Sequence, residues 1–285
     1  MEENRVIQKI ADIAVQSLVY EVSISPKPGL VDRFNNGAHR DMNYFTFLHS
    51  AYALGDYFYS AAKEGYYFRG EDIKDLFQKI RPLGVIAEQK MFEATNGVNT
   101  HKGLIFSLGI ISCAAAQLVA SNQDVTADSL SHSSMVMTRD ILITDFGENG
   151  LKDFKTNGER LFHEHGVTGI RGEAVKGFDT ALHVGFPVFK EKVGSGYTVE
   201  DAGLIALLHI MKELSDTNIL SRHDFKTLAY VKKYASDVLK YENGLSIGAL
   251  KEMDRDFIHK NISPGGAADN LAIIIAVYYI EKLYL

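Results

Sequence analysis

The chain has 285 residues, one cysteine and a net charge of −6. That length can bury a large core. The charge provides no overall positive field for nucleic acid or an anionic membrane, and a single cysteine excludes both an internal disulfide and a cysteine-based zinc site. Any anion must be met by a local site. Residues 1–5 are charged and lack the basic start, apolar core and cleavage site of a signal peptide. The apolar runs at 104–111 and 271–279 fall short of a bilayer span. The expectation is a soluble, cytoplasmic protein with no nucleic-acid or membrane partner.

Apolar residues recur at helical spacing almost throughout. Ile7, Ile10, Ala11, Ala14 and Leu18 mark a helix over about 4–22. Residues 44–63 predict an aromatic-rich second helix, read as core rather than subunit interface, and 71–94 a third that Pro82 should kink or interrupt. A fourth covers 104–120, where Cys113 reads as a small core residue. Residues 126–144, 157–165, 173–183, 198–214, 224–240, 246–260 and 264–283 complete the series. Pro264 sits at a helix start, where its missing N–H costs nothing. Alternating β-branched runs with hairpin dipeptides are missing, and no linker or repeat divides the chain. The reading is all-α, a single multi-helix globular domain over 1–285, with 145–159 as a mobile loop.

Polar chemistry gathers at five helix junctions. Residues 97–103 (GVNTHKG) lead straight into an apolar helix. Free N–H groups at a helix start, glycines that admit a ligand and the charge of Lys102 describe an anion cradle, most simply for phosphate. The glycine spacing and the lysine position differ from a P-loop. Residues 25–33 continue through His39 and Asp41, with prolines on both sides of Lys27 holding it on stiff backbone. Residues 166–173 offer glycines, the planar fork of Arg171 and Glu173. Asp216, Thr217 and Asn218 precede Arg222 and His223, with Asp216 or Thr217 equally readable as a helix cap. Residues 261–269 (NISPGGAAD) close the set, with Ser263 a good N-cap. The histidines form no metal-binding spacing, so zinc is not expected. Carboxylates beside phosphate cradles favour a hard ion such as Mg²⁺.

These segments, in this order, resemble the triphosphoribosyl-dephospho-coenzyme A synthase family. The residues carrying the resemblance are 26–32 (PKPGLVD), 37–39 (GAH) with Asp41 and Met42, 97–103, 169–174 (GIRGEA), 216–218 (DTN) and 261–269. The match runs from about residue 10 to the C-terminus. It departs from the family after Asn218, where residues 220–224 (LSRHD) lack an expected glycine. The resemblance implies transfer of the triphosphoribosyl group of ATP to the 2′-hydroxyl of 3′-dephospho-CoA, with release of adenine. The product is the prosthetic-group precursor of citrate lyase or malonate decarboxylase, which a separate transferase attaches to an acyl carrier protein.

For such a reaction, Lys27, Gly29, Asn99, Thr100, Lys102, Gly103, Arg171, Gly172, Asn218, Ser263, Gly265 and Gly266 are the expected binding residues. Asp32, Asp216 and Asp269 are the candidates for Mg²⁺, Glu173 or Asp41 for the general base, and His101 or His39 for the acid. The alternatives are an all-helical Mg²⁺-dependent hydrolase of nucleotides or ADP-ribose, and a non-catalytic nucleotide-binding protein. A homodimer is compatible with the sequence.

Overall fold

The computed structural model describes residues 2–147, 156–241 and 245–284. Among these the chain is helical and has no strands. Helix α1 (Glu2–Ser23) is followed by α2 (Tyr44–Ala53), α3 (Gly55–Tyr66), α4 (Lys74–Ala94) and α5 (Lys102–Ala120). Then come α6 (Ala127–Thr138), α7 (Ile141–Phe146), α8 (Asn157–His165) and α9 (Gly169–Val175). A π turn (Thr180–Gly185) runs into α10 (Phe186–Gly194), and α11 (Val199–Glu213), α12 (Thr217–Arg222), α13 (Phe225–Val238), α14 (Ile247–His259) and α15 (Gly265–Tyr284) follow.

One apolar core runs from α1 to α15. The stripe of Ile7, Ile10, Ala11, Ala14 and Leu18 is buried, as its spacing predicts. Helix α5 lies at the centre, packed against α3, α4, α15 and α6. By length and composition alone α5 could cross a membrane, but most of it is buried in the fold. Small residues let its neighbours come close. A Cβ at Gly65 on α3 would collide with the Cys113 carbonyl oxygen, and one at Gly109 with the Tyr57 hydroxyl. That hydroxyl donates to the Ile105 carbonyl at 2.9 Å. Cys113 is fully buried, as expected, and burial pushes its thiol pKa far up.

Several boundaries differ from the sequence reading. Residues 44–63 form two helices that break at Leu54, and 126–144 form two that break after Thr138. The break at Leu54 is followed directly by Gly55, whereas the break after Thr138 has no Gly or Pro beside it. Helix α4 continues through Pro82. Pro82 and Gln78, four residues before it, are both exposed, so the carbonyl that loses its helical donor can meet water. Residues 173–183 are not one helix: α9 ends, Gly177 and Phe178 take positive φ, and the π turn begins. Helices α10 and α12 were not anticipated, and α15 begins at Gly265 rather than Pro264. Residues 148–155 of the expected mobile loop lie outside the described residues. The aromatic second helix is only partly core: Tyr57 and Phe58 are buried, while Phe45 and Tyr52 are exposed on α2.

Gly65→Ala should overpack the α3–α5 contact and cost about 1–3 kcal/mol. Denaturant unfolding should show this, with Gly194→Ala, which opens onto empty space, near neutral as the comparison.

Candidate active site

Two adjoining cavities, each of about 370 Å³, share Asn99, Lys102, Gly103, Asn218 and Asp269 in their walls. The first adds Glu88, Arg171, Glu173, Asp216 and Gly266. The second adds Glu21, His39, Asp41, His101, Arg222 and Ser263. The segments read as separate junctions in the sequence thus meet in one cleft.

Helices α5, α8, α9, α12 and α15 all begin at its walls. The long ones, α5 (19 residues) and α15 (20 residues), bring the positive end of a macrodipole there. His101 provides no side-chain cap for α5, and Asn99 accepts from the Lys102 N–H at 3.3 Å. Gly103 has to be glycine, since a Cβ would strike the Asp269 carboxylate. Gly265 and Gly266 likewise let α15 approach Asn218 and Asp216. The result is a local anion site in an acidic protein.

Asp216 is the cap rather than a free ligand. Its Oδ1 accepts from the N–H groups of Asn218 (2.8 Å) and Ile219 (3.4 Å), and its Oδ2 from Ala267 (2.9 Å). One buried carboxylate therefore ties the starts of α12 and α15. Burial raises its pKa, and the backbone donors pull it back. Asp32 is also spoken for: its oxygens accept from the N–H groups of Lys27 (2.9 Å), Phe34 (2.7 Å) and Asn35 (3.2 Å). It lines neither cavity. Asp269 differs from both, facing the shared wall with no hydrogen bond to a described side chain or backbone group. Burial, then Glu21 and Asp216 nearby, hold its pKa well above the usual carboxylate range. Among the described residues no three His, Cys, Asp or Glu side chains gather to hold an ion. The set of Asp32, Asp216 and Asp269 is therefore not one metal site. Mg²⁺ that keeps waters and takes phosphate oxygens needs only one or two carboxylates, and Asp269 is placed to supply one.

Lys27 is not a phosphate ligand. Its side chain is fully buried, and the ammonium donates to the Glu21 carboxylate and, at 2.6 Å, to the Glu21 carbonyl. Gly29 locks the same loop: its φ is +70°, a Cβ would collide with the Ile262 carbonyl, and its N–H donates to Asp254 at 2.9 Å. Gly172 is a packing residue, with Thr168 where a Cβ would go. Neither glycine lines a cavity. Lys102, half exposed in the shared wall, pairs with Glu88 at 2.8 Å and can reorient towards a ligand. Arg171 donates to Asp145 at 2.6 Å, which Arg81 also holds at 2.6 Å, so two guanidinium groups share one carboxylate.

Glu173 accepts from the Thr180 N–H and hydroxyl, both at 3.1 Å. Burial raises its pKa against those two bonds. Burial disfavours the charged form of both histidines expected to act as the acid. His101 is buried, and burial followed by the Lys27 charge lowers its pKa to about 3. Its Nδ1 lies 2.7 Å from Ser50 Oγ, to which the Thr100 hydroxyl donates at 2.7 Å. His39 reaches Ser263 Oγ through Nε2 at 2.8 Å, and burial with Arg222 lowers its pKa too. Ser263 is therefore tied to His39. Asp41 is exposed at the mouth, 3.8 Å from His39.

The sequence reading missed Glu21, Ser50 and Thr180. Glu21 alone carried a signal, being an acid three positions after Leu18 on the buried stripe of α1.

Fold and cleft define the class: an all-α protein with a polar cleft on which helix starts converge. The family follows from comparison. The model of the CitG family, ATP:dephospho-CoA triphosphoribosyl transferase, matches residues 7–285, and the chain belongs to that family. A relative named 2-(5″-triphosphoribosyl)-3′-dephosphocoenzyme-A synthase, from Pectobacterium atrosepticum, is 40% identical over 92% of this chain and 86% of its own. One named "Probable 2-(5″-triphosphoribosyl)-3′-dephosphocoenzyme-A synthase", from Pectobacterium carotovorum, is 38% identical over 98% of this chain and 92% of its own. Protein CitXG of Leuconostoc mesenteroides is 38% identical over 94% of this chain but only 58% of its own length. No solved structure matches the chain. The match is to a transferase family and gives the hydrolase alternative no support.

Lys27→Ala should cost about 3–5 kcal/mol, because it strands a buried carboxylate. Lys102→Ala should leave the unfolding midpoint nearly unchanged and raise the KM for ATP. Equilibrium unfolding and steady-state kinetics on both variants separate the two lysines.

Proposed function

We propose that the double cavity is where this transferase moves the triphosphoribosyl group of ATP to the 2′-hydroxyl of 3′-dephospho-CoA. The observation that carries the placement is the convergence of the α5 and α15 starts with Lys102 at the wall common to both cavities. The glycosidic C–N bond of ATP breaks, a C–O bond to the acceptor forms, and the proton lost by the hydroxyl is balanced by one gained by adenine. The triphosphate stays on the ribose throughout, so it can remain at the helix starts and at Lys102 while the anomeric carbon changes partner. Mg²⁺ would neutralise phosphate charge there, with Asp269 as the protein ligand.

Glu173 is the residue we assign as general base. Thr180 fixes its orientation through two bonds, and its raised pKa brings it closer to a working pH than an ordinary carboxylate. Asp41, exposed at the mouth, has no such fixing. Burial disfavours the charged form of His101 and His39, so we assign them as hydrogen-bonding groups rather than as the acid that protonates adenine.

The reading extends to partners. The product passes to a transferase acting on an acyl carrier protein, in the cytoplasm. The exposed Phe45 and Tyr52 on α2 are the face on which a homodimer would form.

Incubation with ATP, Mg²⁺ and 3′-dephospho-CoA should release adenine in step with a triphosphoribosyl adduct detected by mass. Adenine without adduct would contradict transfer. Glu173→Gln should lower kcat by about 10²–10⁴-fold in folded protein. A raised pKa means that the proton-accepting form exists only above that value. The acid limb of kcat/KM should therefore lie above the ordinary carboxylate range, near ~4.3, and vanish in Glu173→Gln.

A further inference from the structure

Part of the wall of the second cavity has a composition that phosphate binding does not explain. Leu30, Val31, Met42 and Phe47 line it, with Glu21 and His101. Val31, Met42 and Phe47 belong to a small apolar cluster separate from the main core. Phe47 meets the His101 ring edge to face, with centroids 5.1 Å apart. An apolar slot holding one acceptor and one donor suits a flat heteroaromatic ring read along its edge.

The donor follows from one arrangement of this chain of bonds. Thr100 donates to Ser50, whose own hydroxyl proton can then go to His101 Nδ1. In that tautomer His101 carries its proton on Nε2, and that nitrogen is buried without a hydrogen-bond partner among the described residues. A native interior rarely leaves such a group unpaired unless a ligand or an ordered water satisfies it. The acceptor is the Glu21 carboxylate, held by Lys27 through Oε1.

We propose that Glu21 and His101 form an adenine-reading subsite, in which Glu21 accepts from the exocyclic 6-amino group and His101 Nε2–H donates to an adjacent ring nitrogen. This rests on the transferase reading, whose two substrates both carry adenine. Hypoxanthine places a carbonyl oxygen where the amine would be. That oxygen would face the Glu21 carboxylate with no proton between them, a mismatch that polar sites reject strongly. Lys27 and Ser50 are positioning residues, the first for the carboxylate and the second for the imidazole proton.

The test compares kcat/KM in the wild-type enzyme for ATP against ITP, and for 3′-dephospho-CoA against its hypoxanthine analogue. One of the two hypoxanthine substrates should be disfavoured by on the order of 10²-fold, and the arm in which this happens identifies whose adenine is read. Glu21→Gln combined with Lys27→Met removes both charges together, so no buried ion is stranded. It should bring that discrimination to within about tenfold and leave the other arm unchanged. Wild-type enzyme that accepts both hypoxanthine substrates as well as the natural ones overturns the subsite without any variant. A folded double variant that keeps full discrimination overturns the role of Glu21. Failure of the transferase reading looks different: the natural substrates alone would then give no adenine and no adduct.

Discussion

A lysine ammonium with no exposed surface must be neutralised where it lies, and the Glu21–Lys27 pair does so at the end of α1. Lys27 also takes the Glu21 carbonyl, in the last turn of α1, where the helix presents its negative end. The fold of residues 24–43 follows from this anchor. The Lys27 N–H fixes Asp32, Asp32 collects the N–H groups of Phe34 and Asn35, and the Asn35 amide reaches Asp254 on α14 at 2.9 Å. Gly29 donates to the same Asp254. His39 and Asp41 come to the cleft mouth because the loop before them is tied at both ends. Breaking the pair would therefore disturb the cleft as well as the interior.

The rest of the cleft is held by carboxylates turned towards backbone donors. Asp216 binds two helix starts at once, and Glu173 binds the first residue of the π turn. Their charge compensates buried N–H groups, and in return the helix starts are held in one orientation. An acidic chain can thus present a positive local field without an excess of lysine and arginine, because the field comes from aligned peptide units. Asp269 is the exception, a carboxylate in the shared wall with no such donors. On the reading proposed above, it is the residue that would take a cation brought in with the triphosphate.

How much of this was legible depends on whether the signal was local. Helix periodicity and the small-residue strings before α5 and α15 are local properties, and they pointed to Lys102, Gly103, Gly265 and Gly266, which line the cavities. Lys27, Asp32, Gly29 and Gly172 look equally reactive in sequence. The structure places them in the interior of the loop and of α9, because burial is decided by what packs from elsewhere: Glu21 for Lys27, Ile262 for Gly29, Thr168 for Gly172. The break after Thr138 was invisible because no Gly or Pro marks the place. The break at Leu54 has Gly55 beside it, but one glycine inside a helical pattern is a weak signal. Ser50 is silent because a serine inside a helix is ordinarily a neutral surface choice, and its meaning comes only from the imidazole that α5 brings to it.

The cleft has room for more than one substrate, as a transfer between two molecules requires. Here two cavities of equal volume meet along one wall formed by the starts of α5, α12 and α15. On the reading proposed above, a nucleotide whose phosphates lie at that wall would bring its reacting carbon towards a hydroxyl held in the neighbouring cavity. Positioning two reactants across a shared wall supplies the proximity that a bimolecular reaction in water lacks. It also fills with the acceptor the volume that water would otherwise occupy. A side chain at Gly103 would strike Asp269, so this glycine lets the start of α5 lie close to α15 where the two cavities share their wall.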